Sequence, residues 1–226
     1  MSLNFESILI ITYGRSGSTL LQGILNDIDG VLVRGENNNF IYGLYEAYNR
    51  LLDTRTHEDI SQPNNSWYGA GEIDQELFLD DCRQMVRNVL LADKKYEKHF
   101  VCYGFKEIRY LEISQQQKDI ADYLNFLAKI FPKPAFIFNV RNLDDVLKSG
   151  WWVNMNKAES RAELMELETA FHTYRETHPD NTFLISYEDV VCQSNNFQLL
   201  FNFLGAQYPE NLDKILFTPH GYEQKN

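Results

Sequence analysis

The chain is short of positive charge, of cysteine and of long apolar runs, and each shortage excludes something. Its 226 residues carry 21 Lys and Arg against 32 Asp and Glu, a formal net charge of −11. Affinity for nucleic acid is dominated by neutralising phosphates, so no nucleic acid is expected as a partner. A chain this acidic can hold a small polyanion only through a local cluster of cations. The three cysteines, Cys82, Cys102 and Cys192, form no CxxC pair and no Cys/His spacing suited to zinc; they read as buried thiols in a reducing compartment. No apolar stretch approaches the roughly 20 residues that cross a bilayer. The N-terminal run MSLNFESILIITYG lacks a positive leader region. The expectation is a soluble, cytoplasmic protein with no membrane segment. Internal repeats, low-complexity tracts and a Pro/Gly-rich linker are also missing, so residues 1–226 are expected to form one domain. The oligomeric state has no signature in the sequence.

What the chain does have is apolar mass. Hydrophobic residues make up 44%, with 15 Phe and 13 Tyr, enough for a sizeable core and enough to exclude disorder. Short apolar runs alternate with helical patterns. Strands are expected at residues 7–13 (SILIITY), 31–33, 99–105 (HFVCYGF), 135–140 (AFIFNV) and 182–186 (TFLIS). Helices are expected at 18–26, 40–52, 74–91, 117–131, 143–152, 158–177 and 195–204, with a polar excursion at 53–72. Strands separated by helices pair in parallel and carry helices on both faces. The fold class is therefore α/β, a three-layer sandwich around a mainly parallel sheet. Such sheets bind ligands beyond the carboxyl ends of their strands, and the polar residues there are the ones to read for function.

After the first strand comes Tyr13-Gly14-Arg15-Ser16-Gly17-Ser18-Thr19, leading straight into a helix. A glycine-containing turn lets the backbone approach an anion, and the helix aims its free N–H groups and dipole at it. Arg15 adds a cationic fork, and Ser16, Ser18 and Thr19 add hydroxyls. The plainer reading is a strand–helix turn with a serine cap; the combination favours an oxyanion site. It is not a Walker A loop, because Gly17 is followed by Ser18 and not by lysine. An ATP-dependent phosphotransferase loses ground accordingly. After a later strand, Arg141 stands at the strand end and Ser149 two helical turns on, in company with the first loop a second anion site.

These segments resemble a known family. YGRSGSTLL after a strand, NVRNLDDVLKSGWW after a later one, and LISYEDVV near the C-terminus are similar to the sulfotransferases that use 3′-phosphoadenosine-5′-phosphosulfate. The resemblance implies their P-loop NTPase-like fold, with that nucleotide as co-substrate. It implies that the first loop (Arg15, Ser16, Gly17, Ser18, Thr19) holds the 5′-phosphosulfate end. Arg141 and Ser149, eight residues apart, would hold the 3′-phosphate, and Tyr187 would lie against the nucleotide. The chain departs from the family at its end, where no glycine-rich RKG segment is recognisable in FTPHGYEQKN.

Sulfuryl transfer needs a base for the acceptor hydroxyl, cations at the bridging and leaving oxygens, and in-line alignment. Glu36, in RGENNN after the second strand, is the candidate base. It stands after the loop much as the glutamate of the tyrosylprotein branch does, and its plainer reading is a solvated loop carboxylate. The histidine-base cytosolic branch places its histidine soon after the strand that here reads FKEIR, and none is present. Lys106, read as following that strand, either reaches the transferring group or pairs with Glu107 on the surface. Arg15 replaces the loop lysine of many cytosolic members. Glu107 and Arg109 are candidates to line the acceptor pocket, without an assigned role. Tyr42, Tyr45, Tyr48, Trp151 and Trp152 either shape an acceptor site or are packing. The sequence thus points to a hydroxyl acceptor, a sugar or a small metabolite, and to no metal, since the protein's own cations supply the charge. The rivals are a non-catalytic nucleotide- or glycan-binding module and, behind it, the phosphotransferase.

Overall fold

In a computed structural model the chain is described over residues 3–57, 61–92, 100–115, 119–209 and 212. The elements run β1 (Ser7–Ile11), α1 (Ser18–Leu25), β2 (Val31–Arg34), α2 (Phe40–Arg55), α3 (Gln75–Leu91), β3 (Cys102–Glu107) and α4 (Tyr110–Gln115). Then come α5 (Ile120–Ile130), β4 (Pro134–Val140), α6 (Leu143–Val146), α7 (Lys157–Thr177), β5 (Thr182–Ser186), α8 (Tyr187–Val191) and α9 (Asn195–Leu204). Single 3-10 turns lie at Ala70–Glu72 and Gly150–Asn154.

The five strands make one sheet in the order β2-β3-β1-β4-β5, and every pairing is parallel. β1 is central: Leu9 lies opposite Phe105 on one side and Phe136 on the other. All five β1 residues are buried, because helices cover both faces, and this is why SILII is a continuous apolar run and not an alternating one. Successive side chains still point to opposite faces. Leu9 and Ile11 join one core with Phe105, Phe138, Tyr45 and Phe171; Ile8 and Ile10 join the other with Leu21, Ile24, Ile185 and Phe201. Helices α2, α3, α5 and α7 thus pack on one face, and α1 and α9 on the other. The chain passes from β1 outward to β2 and β3, then crosses to β4 and β5. The crevice at the carboxyl ends of β3, β1 and β4 is therefore where such a sheet receives a ligand.

Several expected boundaries move. β3 extends to Glu107, so Lys106 lies inside the strand and not after it. Residue 99 and residues 117–118, expected to open β3 and α5, lie outside the described residues. The helix expected over 143–152 stops at Val146. Ser149 is extended (φ −121°, ψ 141°) and Gly150 is left-handed (φ 59°), so the chain breaks out of the helix before the two tryptophans. The short helices α4 and α8 carry too few residues for a periodic pattern to mark them. The polar excursion at 53–72 contributes its first residues to α2 and closes in a 3-10 turn; residues 58–60 of it lie outside the described residues. Tyr42, Tyr45 and Tyr48 are buried core residues, packed with Tyr123 and Phe126. Among the described residues, no helix is long and apolar enough to cross a membrane.

Candidate functional site

The turn after β1 is tied to the sheet beside it. Thr12, fully buried, donates its hydroxyl to the Asn139 carbonyl at 2.6 Å and shares a 2.7 Å hydrogen bond with Ser16 Oγ. The Asn139 amide donates to the Ser16 carbonyl at 3.2 Å. Ser16 is consequently turned inward and fully buried, while Arg15 and Thr19 are exposed and Ser18 is nearly buried. Arg15 (φ 71°) and Gly17 (φ 80°) are both left-handed, which folds the turn back over the start of α1. The serine cap of the plainer reading does not form: Gly17 is the N-cap, and no side chain caps α1. The first-turn N–H groups of a helix have no intrahelical acceptors, so this uncapped end suits an anion.

Arg141, Ser149 and Tyr187 converge on this turn. The Arg141 N–H donates to the Tyr13 hydroxyl at 3.0 Å, and its guanidinium donates from Nη1 to the Arg15 carbonyl at 3.2 Å. The guanidinium also stacks 4.4 Å from the centre of the Tyr187 ring. Its Nε is closed off from solvent with no acceptor among the described residues, an unused donor of the kind an anion satisfies. Arg15 in turn donates from Nε to Ser149 Oγ at 2.8 Å. Ser149 reaches this place through the break after α6, not along a helix. Below the cluster, Tyr13 is buried and donates to Glu168 Oε1 at 2.5 Å. Burial first, then the hydrogen bond and the charge of Glu168, push the Tyr13 hydroxyl far above its ordinary range. Burial likewise raises the Glu168 carboxyl, partly offset by the Tyr13 hydrogen bond.

A second cluster sits beside the first, where β3 runs next to β1 and an isolated bridge joins Tyr13 to Arg109. Lys106 is buried, and its ammonium donates to Glu36 Oε1 at 2.7 Å. Arg109 lies 3.7 Å from Glu36 Oε2 and 3.0 Å from Glu107 Oε1. The expected alternative of a Lys106–Glu107 surface pair is overturned: Glu107 is 1% exposed and points at the loop that carries Glu36. Adjacent strand residues point to opposite sides, so Lys106 and Glu107 meet that loop with different atoms.

The structure therefore gathers Arg15, Ser16, Gly17, Ser18, Arg141, Ser149 and Tyr187 around one turn, and brings Glu36 of the neighbouring loop onto Lys106 of β3. Sequence reasoning named neither Thr12 nor Asn139, and gave Glu107 only as a lining residue of the acceptor pocket or a surface partner of Lys106. Their signal is available in retrospect: polar residues inside or ending otherwise apolar strands are retained only with partners. Trp152 is core, donating its indole N–H to the Gly14 carbonyl, and Trp151 is half-exposed with its ring against Gly14. His57 stacks on Trp67, His178 stacks on Tyr174 beside α7 and His172 is exposed on that helix; His99, His220 and the C-terminal segment 217–226 lie outside the described residues. Among the described residues no three His, Cys, Asp or Glu side chains gather as a metal would need.

Comparison with known proteins follows the same lines. Residues 7–210 match the family model described as "Sulfotransferase family". Among solved structures, the chain is similar to the sulfotransferase domain from the Synechococcus PCC 7002 olefin synthase. The TM-score is 0.57 and the identity 18%, over 96% of this chain and 79% of that one. Retinol dehydratase in complex with androsterone and the inactive cofactor PAP gives a TM-score of 0.44 at 15% identity, covering 93% of this chain and 63% of that one. Its complex with retinol and PAP gives 0.41 at 15%, covering 96% and 65%. A comparison with curated protein sequences finds no match. The olefin synthase domain is thus similar to this chain in fold.

Proposed function

The chain belongs to the sulfotransferase family, and from that premise we propose that it transfers a sulfuryl group from 3′-phosphoadenosine-5′-phosphosulfate to a hydroxyl. The acceptor is a carbohydrate or a small metabolite, and residues 1–226 act as one unit. Glu36 is the general base, as in the glutamate-base branch that acts on tyrosyl and carbohydrate hydroxyls. The observation that carries the assignment is the 2.7 Å contact between Glu36 and the buried ammonium of Lys106. It sets a carboxylate and a cation beside the anion-receiving turn of β1.

The turn from Arg15 to Thr19 and the uncapped start of α1 receive the 5′-phosphosulfate. Arg141 and Ser149 take the 3′-phosphate, the buried Nε of Arg141 supplying a donor that no described residue uses. Tyr187, already stacked on Arg141, offers its ring edge to the nucleotide. In the reaction the acceptor oxygen attacks sulfur, its proton passes to Glu36, and the bond from sulfur to the 5′-phosphate oxygen breaks. Lys106 and Arg15 stabilise the charge that grows on the bridging and sulfuryl oxygens. Arginine holds an anion with two hydrogen bonds where lysine offers a point charge, so Arg15 suits the place of the family's loop lysine.

The test is a melting experiment with 3′-phosphoadenosine-5′-phosphate and no Mg²⁺. At a hundredfold excess over its dissociation constant the nucleotide should stabilise the chain by about 2.7 kcal/mol, and Arg141→Ala should remove most of that. Glu36→Gln should abolish transfer from labelled donor while leaving the nucleotide-induced shift intact; retained transfer would falsify the base. Absence of any shift refutes the donor.

A further inference from the structure

The loop that carries Glu36 has little hold of its own: the Phe40 N–H donates to the Asn37 carbonyl at a long 3.4 Å. Asn38 and Asn39 are consecutive left-handed residues (φ 54° and 57°), a conformation that L residues avoid and asparagine only tolerates. The Asn37 side-chain oxygen and nitrogen are both closed off from solvent without a partner among the described residues, so that amide adds no hydrogen bond to the turn. α2 begins immediately afterwards with no side-chain cap. What holds the loop comes from β3. Glu107 Oε2 accepts the N–H groups of Asn37 at 3.2 Å and Asn39 at 2.9 Å. Its other oxygen accepts the Ile108 N–H at 2.8 Å and the Arg109 Nη1 at 3.0 Å. Each carboxylate oxygen thus takes two donors, which is how a carboxylate this deeply buried is accommodated. Tyr123 adds a long contact to Asn39 Oδ1 at 3.4 Å.

Glu36 immediately precedes the first of these tethered amides. It is also bracketed by the two cationic side chains that flank Glu107 in sequence, Lys106 at 2.7 Å and Arg109 at 3.7 Å. Arg109 bridges the two carboxylates and reaches Glu112 at 3.7 Å as well. We propose that Glu107 is the positioning residue of the reaction: it fixes the 37–39 turn and the Arg109 guanidinium, and so sets the direction of the Glu36 carboxylate. It touches no reacting atom itself. The inference rests on Glu36 as base for its catalytic consequence, but the mechanical part stands on the four hydrogen bonds alone.

The experiment reads the two parts separately in Glu107→Gln, which keeps the side-chain volume but cannot accept all four donors. The first readout is spectroscopic: hydrogen exchange at the Asn37 and Asn39 amides, and the ¹⁵N signal of the Lys106 ammonium held against Glu36, assigned with Lys106→Arg. Exchange at both amides should quicken at least tenfold and the protected ammonium signal should disappear, while the shift induced by 3′-phosphoadenosine-5′-phosphate stays unchanged. Protection retained at both amides and at Lys106 overturns the proposal. The second readout is transfer from labelled donor in the assay used for Glu36→Gln: kcat should fall about 100-fold, the scale of an ångström's misplacement, with KM for the donor within about twofold. Unchanged kcat alongside loosened amides overturns the catalytic consequence. If Glu36→Gln itself keeps full activity, the base assignment fails while the exchange data still decide the tether. Should Glu107→Gln not fold, Glu107→Asp retains the charge one methylene short, and an intermediate loss of amide protection is expected; wild-type protection overturns the tether.

Discussion

Gly17→Ala is the sharpest perturbation of the nucleotide site, because two independent costs meet at one atom. Gly17 is left-handed at φ 80°, and an added Cβ there costs about 1–2 kcal/mol. The same Cβ would stand 2.2 Å from Tyr187 Cδ2 and 2.8 Å from Cε2, well inside van der Waals contact. Overpacking of this kind adds about 1–3 kcal/mol, so the sum is about 2–5 kcal/mol. For a chain of this size that lowers the melting temperature by about 4–20 °C. The ring cannot yield alone, since Arg141 lies 4.4 Å from its centre, and its displacement drags the guanidinium from its place. Nucleotide affinity should therefore fall at least tenfold, reducing the nucleotide-induced stabilisation by about 1.4 kcal/mol. Urea denaturation with and without 3′-phosphoadenosine-5′-phosphate measures both. In a Tyr187→Ala background the steric part vanishes and Gly17→Ala should cost only the conformational part. Gly14→Ala is the control: its Cβ meets Trp151 at 2.2 Å, but that ring is 50% exposed and can swing into solvent. A Gly17→Ala penalty below about 0.5 kcal/mol, or one undiminished without Tyr187, refutes the reasoning.

Two further outcomes follow from the charges. Glu36→Ala strands a buried ammonium, whereas Lys106→Met leaves a carboxylate that is 38% exposed and still 3.7 Å from Arg109; the first should be the more destabilising by about 1–3 kcal/mol in urea titration, and equal costs would refute the picture of Lys106 as the desolvated partner. Asp189 ties α8 to α9: burial raises its carboxyl, but hydrogen bonds from Ser194, Asn196 and Ser186 outweigh this and leave it below its ordinary value of 3.8. A group depressed in the folded state contributes stability above its unfolded value and loses it as pH falls through the folded one. Asp189→Asn should therefore lower the melting temperature at pH 7, with the difference closing below pH 3.8; a difference equal at pH 7 and at about pH 2 would contradict the assignment.

Much of this arrangement can be read from local pattern. β5 (Thr182–Ser186) and α9 (Asn195–Leu204) fall where TFLIS and the helical spacing place them, because an apolar run between breakers and a serine cap are short-range signals. The turn after β1 is legible for the same reason: glycine, arginine and hydroxyls between a strand and a helix say what the backbone can approach. The helix expected through Ser149 fails because Gly150 takes a left-handed conformation with Arg15 lying against it, an added Cβ there coming 2.9 Å from Arg15 Cδ. The Arg15–Ser149 hydrogen bond beside it joins residues 134 positions apart, and no window of sequence contains it.

The sequence by itself determined the alternation of strand and helix, the acidic excess, and the two short segments whose cations answer it. Periodicity and composition act over a few residues, and those features need nothing more. Tertiary structure alone decided which of the chain's carboxylates meets which cation. Glu36 pairs with Lys106 across 70 residues, and Glu107, adjacent to that lysine, turns instead to the amides of a loop equally far away. The direction of each side chain is set by the parallel register of β1, β2 and β3. That register is the sum of many distant contacts, so a carboxylate that reads as a surface partner becomes a buried tether.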